Sequence, residues 1–240
     1  MQEERRVGRE VPNWSPPVWP DTQCLEGQYV RLERLNATDH AAELHAANRG
    51  SDWIWDYLPY GPFESVADYR AWAETMAGER DPFFYAIRDL AGGRLGGVAS
   101  FLRITPQQGV IEVGHICFAP ALQGTRAATE AMTLLARWVF GAGYRRYEWK
   151  CDALNLPSRR AAERLGFSYE GTFRQHTIYK GRNRDTAWFA MTDGDWKAIG
   201  PAYDRWLAPE NFDPDGQQRE SLSALTRPHL VTRDPGPAAG

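Results

Sequence analysis

The stretch from Ile111 to Phe140, IEVGHICFAPALQGTRAATEAMTLLARWVF, decides the fold of this chain. It has the pattern of a hydrophobic strand that passes through Ala119-Pro120 and the turn Gln123–Ala128 into a helix. Small residues at the start of a helix leave several backbone N–H groups unpaired, at the positive end of the helix dipole. A pyrophosphate group suits such a position. The stretch therefore predicts an enzyme that uses a nucleotide-like cofactor.

The composition narrows the class of protein. The chain has 240 residues, 25% of them charged, and a formal net charge of −3. This length suits one or two domains, and this charge does not favour a protein that coats nucleic acid or an anionic membrane. The sequence has no apolar run long enough to span a bilayer, and its first residues lack the apolar core of a signal peptide. We therefore expect neither a nucleic acid nor a membrane as partner.

The cysteines indicate the compartment. Cys24, Cys117 and Cys151 are far apart and odd in number, a pattern that favours free thiols in a reducing cytoplasm. Cys117 could be a nucleophile, but a small buried hydrophobic residue is the preferred interpretation. The expected location is cytoplasmic.

Three regions follow one another along the chain. Residues 1–26 are predicted to be an extended arm, because a stretch with four prolines excludes regular helix. The arm either hangs loose or lies along the body with Trp14 and Trp19 as anchors. Residues 27–208 mix strands with helices and predict one α/β domain with a largely antiparallel sheet. Residues 209–240 are polar and rich in proline and glycine, and predict a flexible tail.

Four short stretches of the domain carry a family resemblance. They are Glu112-Val113-Gly114 leading to Gln123-x-x-x-x-Ala128, Asn155-x-x-Ser158 followed by Arg164-Leu165-Gly166-Phe167, Trp55-Asp56-Tyr57-Leu58-Pro59 with Pro62-Phe63, and Arg174-Gln175-His176 with Lys180-Gly181-Arg182-Asn183-Arg184-Asp185. In this order and spacing they resemble the GNAT superfamily of acyl-CoA-dependent N-acyltransferases, most closely its RimJ/RimL branch. The resemblance implies the GNAT α/β (α+β) fold: a single mixed, mostly antiparallel sheet of about seven strands, splayed at its centre and flanked by helices.

The resemblance also implies a function. It implies transfer of an acetyl group from acetyl-CoA, the co-substrate, to a primary amine of a small molecule or a protein N-terminus, by direct attack in a ternary complex. A non-catalytic acyl-CoA-binding sensor or scaffold of the same fold is the alternative. A homodimer is implied by the resemblance alone. No metal is predicted, because His40 and His45 lie roughly 140° apart on their helix and share no face.

Two residues depart from the family pattern. Arg126 occupies the central glycine position of the phosphate loop. It still offers its backbone N–H, and its guanidinium could meet a phosphate oxygen, but its backbone must be helical. Ala162 stands where many relatives carry the tyrosine that protonates the departing thiolate, and Ser158 is the candidate replacement.

The predicted cofactor site combines this loop with its neighbours. The backbone N–H groups of the loop would bind the pyrophosphate, and an ordinary helix start is the alternative. Asn155 is expected to cap the next helix, and the resemblance adds a contact to the pantetheine arm or to a catalytic water. The residues assigned to the cofactor are Ile116, Phe118, Gln123, Gly124, Thr125, Arg126, Ala127, Ala128, Asn155 and Ser158.

Two residues compete for the role of base, since the attacking amine must lose a proton. Glu112 is the first choice, directly or through a water, and a salt-bridged carboxylate is the alternative. His115 is the rival base, although a satisfied structural histidine is preferred. Strict alternation places His115 on the face opposite Glu112, so both line one pocket only if a bulge intervenes. The catalytic set is Glu112, Ser158 and Asn155.

The acceptor site is expected on the aromatic loop. The resemblance assigns Trp55, Asp56 and Tyr57 to it together with His115, because aromatic faces and a carboxylate suit a cationic amine. An aromatic minicore under the loop is the alternative. The run Lys180–Arg184 is expected to be a solvated turn.

Overall fold

The computed structural model describes residues 7–236 and contains one eight-stranded mixed sheet flanked by helices. The strands are β1 (Cys24–Glu26), β2 (Val30–Arg34), β3 (Phe83–Asp89), β4 (Arg94–Thr105), β5 (Val110–Phe118), β6 (Arg146–Asp152), β7 (Ser168–Tyr179) and β8 (Arg182–Thr192). The helices are α1 (Ala37–Asn48), α2 (Val66–Gly78), α3 (Arg126–Gly141), α4 (Leu156–Arg164), α5 (Asp193–Leu207) and α6 (Leu222–Thr226). The predicted fold class is confirmed, with one strand more than expected: β1, which lies in the predicted arm.

The sheet opens between its two parallel strands. Its order is β1-β2-β3-β4-β5-β6-β8-β7, and β5 and β6 run parallel. Their pairing begins at Val110 with Arg146 and ends at Val113 with Trp149. Beyond that point both strands continue without pairing to each other. The resulting gap lies at the carboxyl ends of the two strands, where side chains from both can reach one space.

A bulge interrupts β5 just beyond this point. Val98 of β4 is opposite Cys117, and Ser100 is opposite Gly114. One residue of β4 therefore faces two of β5, His115 and Ile116. His115 adopts a φ of 51°, in the left-handed region that a strand residue rarely enters. The extra residue shifts the alternation of side chains along β5.

Two cores hold the helices against the sheet. α3 buries Ala131, Leu135 and Val139 in the larger core, and α1 and α2 contribute Leu44 and Tyr69 to the other. α3 begins within the predicted turn, at Arg126, and α1 is capped by Asn36. None of the helices in the described part of the chain is both long and apolar enough to cross a membrane.

The described part of the arm lies along the domain. The Trp14 indole donates to the Gln107 carbonyl (3.1 Å), and the Tyr144 hydroxyl donates to the Val18 carbonyl (3.0 Å). The Arg80 guanidinium lies 4.3 Å from the Trp19 ring. These contacts match the second alternative for the arm, with both tryptophans as anchors. Residues 1–6 lie outside the described residues.

Residues 209–236 differ from the predicted flexible tail. Leu222 is fully buried in the larger core, and the Thr226 hydroxyl donates to the Arg164 carbonyl (3.0 Å). The buried Arg159 forms an ion pair with Asp234. The polar composition of this segment misled the prediction, because a few apolar and charged residues that reach the domain suffice to fix it. Residues 237–240 lie outside the described residues.

Candidate active site

Two cavities meet in the gap between β5 and β6. The helix cavity, of about 400 Å³, is lined by the end of β5, the turn before α3, and the facing sides of α3 and α4. The polar cavity, of about 320 Å³, is lined by β5, β6 and the β7–β8 hairpin. Both are lined by the same six residues at the junction: Ile54, Tyr57, Ile116, Trp149, Asn155 and Ser158.

The start of α3 presents free N–H groups to the helix cavity. Thr125 caps the helix by accepting from the N–H of Ala128 (3.0 Å). Among residues 7–236, no acceptor pairs with the N–H groups of Gly124, Arg126 or Ala127. Gly124 has a φ of 72°, which a residue with a side chain rarely adopts. The turn can therefore bind the oxygens of a phosphate group through its backbone.

Most of the residues predicted for the cofactor line the helix cavity. The eight that do so are Ile116, Phe118, Gln123, Gly124, Thr125, Ala128, Asn155 and Ser158. The Ala127 side chain packs in the larger core, which leaves only its N–H for a ligand.

The Arg126 side chain points away from the predicted phosphate site. Its guanidinium donates to the Tyr29 hydroxyl (2.9 Å) and lies 3.3 Å from the centre of the Phe212 ring. These contacts do not favour the expected contact between this guanidinium and a phosphate, which stays a prediction. The folded segment after α5 brings Phe212 over the first turn of α3, where the guanidinium stacks on its ring. The backbone of Arg126 is helical, as predicted.

Sequence reasoning missed a second arginine near this turn. Arg164, at the end of α4, lines the helix cavity and donates to the Thr129 hydroxyl (3.1 Å). Burial lowers the pKa of its guanidinium from the ordinary value, yet the group stays charged at neutral pH. Its position just before the Leu165-Gly166-Phe167 motif was the available signal.

The junction holds one hydroxyl group in a fixed position. Asn155 caps α4 by accepting from the N–H of Ser158 (3.1 Å), and the Trp149 indole donates to the Ser158 hydroxyl (3.0 Å). Because the indole supplies a proton, the Ser158 hydroxyl keeps its own proton to donate. Ala162, at the position where the resemblance expects a tyrosine, is fully buried.

Glu112 is a buried carboxylate held by two cations. Only 2% of the residue is exposed. Arg103 donates to both of its oxygens (2.7 and 2.8 Å), and the Lys150 ammonium lies 2.9 Å from one of them. Lys150 also pairs with Glu148 at 2.8 Å. This arrangement matches the alternative of a salt-bridged carboxylate.

The bulge brings His115 into the same polar cavity as Glu112. Its Nδ1 shares a hydrogen bond with the Tyr60 hydroxyl (3.0 Å), and the two rings stack 5.6 Å apart. Burial, with smaller effects of the Arg103 and Arg184 charges, lowers the pKa of His115 to about 4. The imidazole is therefore neutral at pH 7.

The aromatic loop divides between the site and the core. Trp55 is 2% exposed and packs on Phe63 and Tyr69 in the smaller core, which matches the minicore alternative. Asp56 is exposed and lines neither cavity. Tyr57 does line both, together with Ile54. These two residues are three positions apart, a spacing that places side chains on one side of the 3₁₀ turn at Asp52–Trp55.

The β7–β8 hairpin is part of the site and not only a solvated turn. The Lys180 ammonium donates to the Trp55 carbonyl (2.8 Å), which ties the hairpin to the aromatic loop. Tyr179 and Arg184 line the polar cavity. The Tyr179 hydroxyl donates to the buried Asp152 carboxylate (3.0 Å) at the end of β6. Sequence reasoning did not select Asp152, Tyr179 or Arg184, since only the fold places them beside β5.

Cys117 has the properties of a core residue. It is buried in the smaller core, and burial raises the pKa of its thiol to about 12. A thiol with such a pKa is not a nucleophile at neutral pH. Within residues 7–236, no group of three or more His, Cys, Asp or Glu side chains could hold a metal ion.

Known proteins share this fold and much of this sequence. A family model described as an acetyltransferase (GNAT) domain matches residues 30–168. A GCN5-related N-acetyltransferase from Brucella melitensis is 46% identical, with a TM-score of 0.88 over 90% of this chain and 100% of its own. A probable acetyltransferase of the GNAT family from Chromobacterium violaceum is 37% identical, with a TM-score of 0.76 over 82% of this chain and 100% of its own.

More distant similarity concerns the fold alone. RimL, the ribosomal L7/L12 alpha-N-protein acetyltransferase, is 20% identical, with a TM-score of 0.62 over 70% of this chain and 93% of its own. No curated protein matches the chain. The family model covers more than half of the chain, and the turn before α3 and the open part of the sheet lie in the matched region. The chain therefore belongs to the GNAT acetyltransferase family.

Proposed function

We propose that the protein transfers an acetyl group from acetyl-CoA to the primary amine of a small molecule or of a protein N-terminus. The junction of the two cavities, where Tyr57, Asn155 and Ser158 face both, carries this proposal. A thioester can reach the junction through the helix cavity while an amine approaches through the polar cavity. Neither ligand has to leave before the other enters, which favours direct attack in a ternary complex.

The residues around the helix cavity suit CoA. The free N–H groups at Gly124, Arg126 and Ala127 would bind the pyrophosphate, and Arg164 adds a positive charge on the same cavity. Phe118 supplies an apolar wall for the pantetheine arm. At the junction, the bulge in β5 removes backbone N–H groups from the regular ladder. Such a group can donate to the oxyanion that develops on the acetyl carbonyl.

We propose that His115 accepts the proton that the attacking amine loses. Both oxygens of Glu112 are already engaged by two cations, so in place of the predicted base we give Glu112 the role of a positioning residue that fixes Arg103 and Lys150. The imidazole of His115 lines the same cavity and is neutral at pH 7. Because its pKa is about 4, it would take the proton only in passing and hand it on to solvent. Ser158 would donate a proton to the departing thiolate, in place of the absent tyrosine at Ala162.

The proposal also covers the class of acceptor and the cellular location. RimL is named for an N-terminal acceptor on a ribosomal protein, and this fold relationship supports a protein N-terminus as one of the two acceptor classes. The three cysteines of the chain are free thiols, which suits the cytoplasm.

The alternative is an acyl-CoA-binding module without catalysis, which the departures at Arg126 and Ala162 favour. A thiol-release assay with acetyl-CoA and a panel of peptides, amino acids, polyamines and aminoglycosides separates the two. We expect thiol release that depends on the amine. Binding of acetyl-CoA without release for any amine would support the binding module.

A further inference from the structure

Most charges that face the polar cavity neutralise one another. Glu112 is paired with Arg103 and Lys150, and Lys150 is paired in addition with Glu148. The Lys150 ammonium also lies 3.8 Å from the centre of the Trp188 ring. Arg146 joins Glu148 to Glu170, so three cations face three carboxylates in one connected cluster. This cluster leaves no full charge for a ligand.

Two opposite charges on the same cavity stay open. Asp152 is buried and accepts only from neutral donors, the N–H of Leu154 (2.8 Å) and the Tyr179 hydroxyl (3.0 Å). Arg184 uses its Nε to donate to the Thr186 hydroxyl (3.1 Å). In the part of the chain that the structure describes, neither Asp152 nor Arg184 takes part in an ion pair.

The side chain of Tyr179 lies beside both of these charged groups. Its hydroxyl donates to Asp152, and the Arg184 guanidinium lies 5.7 Å from the centre of its ring. Arg184 is also close enough to His115 for its charge to contribute to the lowered pKa of the imidazole. The guanidinium thus lies toward β5 and the carboxylate at the end of β6. Asp152 is three residues before Asn155, at the junction where the thioester is expected.

We propose that the acceptor is an amino carboxylate, such as a free amino acid, whose ammonium group is attracted by Asp152 and whose carboxylate is bound by Arg184. This proposal rests on the proposed acetyl transfer and names the substrate class of that site. Arginine binds a carboxylate through two parallel N–H donors, and the terminal nitrogens of Arg184 supply them. The ammonium form of the acceptor loses one proton before attack, which passes by way of His115 to solvent. The amine nitrogen then bonds to the acetyl carbon as the C–S bond breaks, and its second proton ends on the departing thiolate.

The same charges disfavour other amines. A monoamine without a carboxylate would cover the Arg184 guanidinium and leave it unpaired, which costs binding energy. A polyamine or an aminoglycoside would bring further positive charges toward Arg184, which repels them. The polar cavity is therefore specific for acceptors that carry both charges.

The test compares matched acceptors. Thiol release from acetyl-CoA is measured for a set of amino acids, for the carboxamide of each, and for the amine that lacks the carboxyl group. We expect kcat/KM to be about 10- to 100-fold higher for the preferred amino acid than for its carboxamide. The Arg184→Gln variant is expected to bring this ratio close to one, chiefly through a higher KM. Arg182→Gln, an exposed arginine of the same hairpin, is the control and is expected to keep the ratio.

Two results would overturn the proposal: equal kcat/KM for amino acids and carboxamides in the unchanged protein, or an unchanged ratio in Arg184→Gln. Calorimetric titration of the amino acids into the protein bound to CoA gives a readout that does not need turnover. Binding that Arg184→Gln weakens, without thiol release from any amine, would sink the proposed transferase function and keep the carboxylate subsite. Thiol release from amines, with no preference for those that carry a carboxylate, would support the transferase function and overturn the carboxylate subsite.

Discussion

His115 and Glu112 line one cavity although they are three residues apart on β5. On a regular strand this spacing places two side chains on opposite faces. The bulge opposite Ala99 and the φ of 51° at His115 cancel that alternation. The site thus holds two groups that could accept a proton, in different electrostatic surroundings. Glu112 is fixed by two cations, whereas His115 is buried and neutral.

The first prediction concerns the base. His115→Asn is expected to lower kcat/KM by about 10²- to 10⁴-fold, the usual contribution of general base catalysis. The binding of acetyl-CoA should stay close to that of the unchanged protein, because His115 does not line the helix cavity. Initial rates of thiol release and calorimetric titration with acetyl-CoA measure the two effects.

Glu112→Gln is the matched comparison for this prediction. It leaves Arg103 and Lys150 without a full counter-charge, and we expect it to lower the free energy of unfolding by about 3 kcal/mol. If Glu112→Gln left the stability unchanged and lowered kcat/KM more than His115→Asn does, the assignment of His115 would be contradicted. Glu112 would then be the base.

The second prediction concerns stability and pH. An unfolded histidine has a pKa of about 6.5, whereas His115 in the folded protein has a pKa of about 4. Between these values the unfolded chain binds more protons, so the stability of the folded state falls as the pH falls. His115 is expected to contribute as much as about 3 kcal/mol to this loss between pH 6.5 and pH 4.

Urea unfolding at a series of pH values measures this contribution as the difference between the unchanged protein and His115→Asn. Carboxylates titrate in the same range, and the difference between the two proteins removes their effect. A difference that does not vary with pH would show that His115 has an ordinary pKa.

The third prediction concerns the turn before α3. Gly124 and Gly50 have almost the same φ, 72° and 73°, and each has open space where a Cβ would lie. Replacing either by alanine is expected to cost about 1 kcal/mol of stability, from the backbone conformation alone. Only Gly124→Ala should also weaken acetyl-CoA, by about tenfold, because it shifts the N–H groups that bind the pyrophosphate. Equal affinities in both variants would place the phosphates elsewhere.

The fourth prediction concerns the thiolate. Ser158→Ala removes the hydroxyl at the junction, and we expect kcat to fall by about tenfold or more. Ser158→Thr keeps a hydroxyl there and should retain most of the rate. Single-turnover measurements isolate the transfer step from product release. If both variants lose the same activity, packing and not proton donation explains the role of Ser158.

The fifth prediction concerns Arg126. Arg126→Ala removes the contacts with Tyr29 and Phe212, and we expect it to lower the free energy of unfolding by about 1 kcal/mol. The dissociation constant of acetyl-CoA should change less than threefold, since the guanidinium points away from the cavity. A tenfold weaker affinity in Arg126→Ala would show that this side chain reaches a phosphate.

Much of the cofactor side was predictable from the sequence, because it depends on local structure. The cap at Thr125, the strained turn at Gly124 and the cap at Asn155 are each set by residues a few positions apart. Such short-range sequence patterns predict the local backbone geometry. The opening at the centre of the sheet was expected from the family resemblance and not from a local pattern.

The acceptor side was less predictable, because it depends on contacts between distant residues. Arg184 and Asp152 lie on neighbouring strands. Arg184 belongs to one of the stretches that carry the resemblance and Asp152 lies three residues before Asn155, but neither pattern tells that the two side chains face one cavity. The contacts of the Arg126 side chain were not predictable for the same reason, since Phe212 reaches it from a segment expected to be flexible. Trp55 and Asp56 were assigned to the acceptor site because their loop is rich in aromatic residues. Aromatic content does not tell which side chains of a loop turn into the core and which face a cavity.

The most direct test of the account varies acetyl-CoA and the acceptor amine together in initial-rate measurements of thiol release. The two cavities share the lining residues of the junction and differ in the rest, so both ligands are expected on the enzyme at once. The account predicts reciprocal plots that intersect. Parallel plots, or thiol release that does not depend on the amine, would contradict direct transfer at the junction of the two cavities.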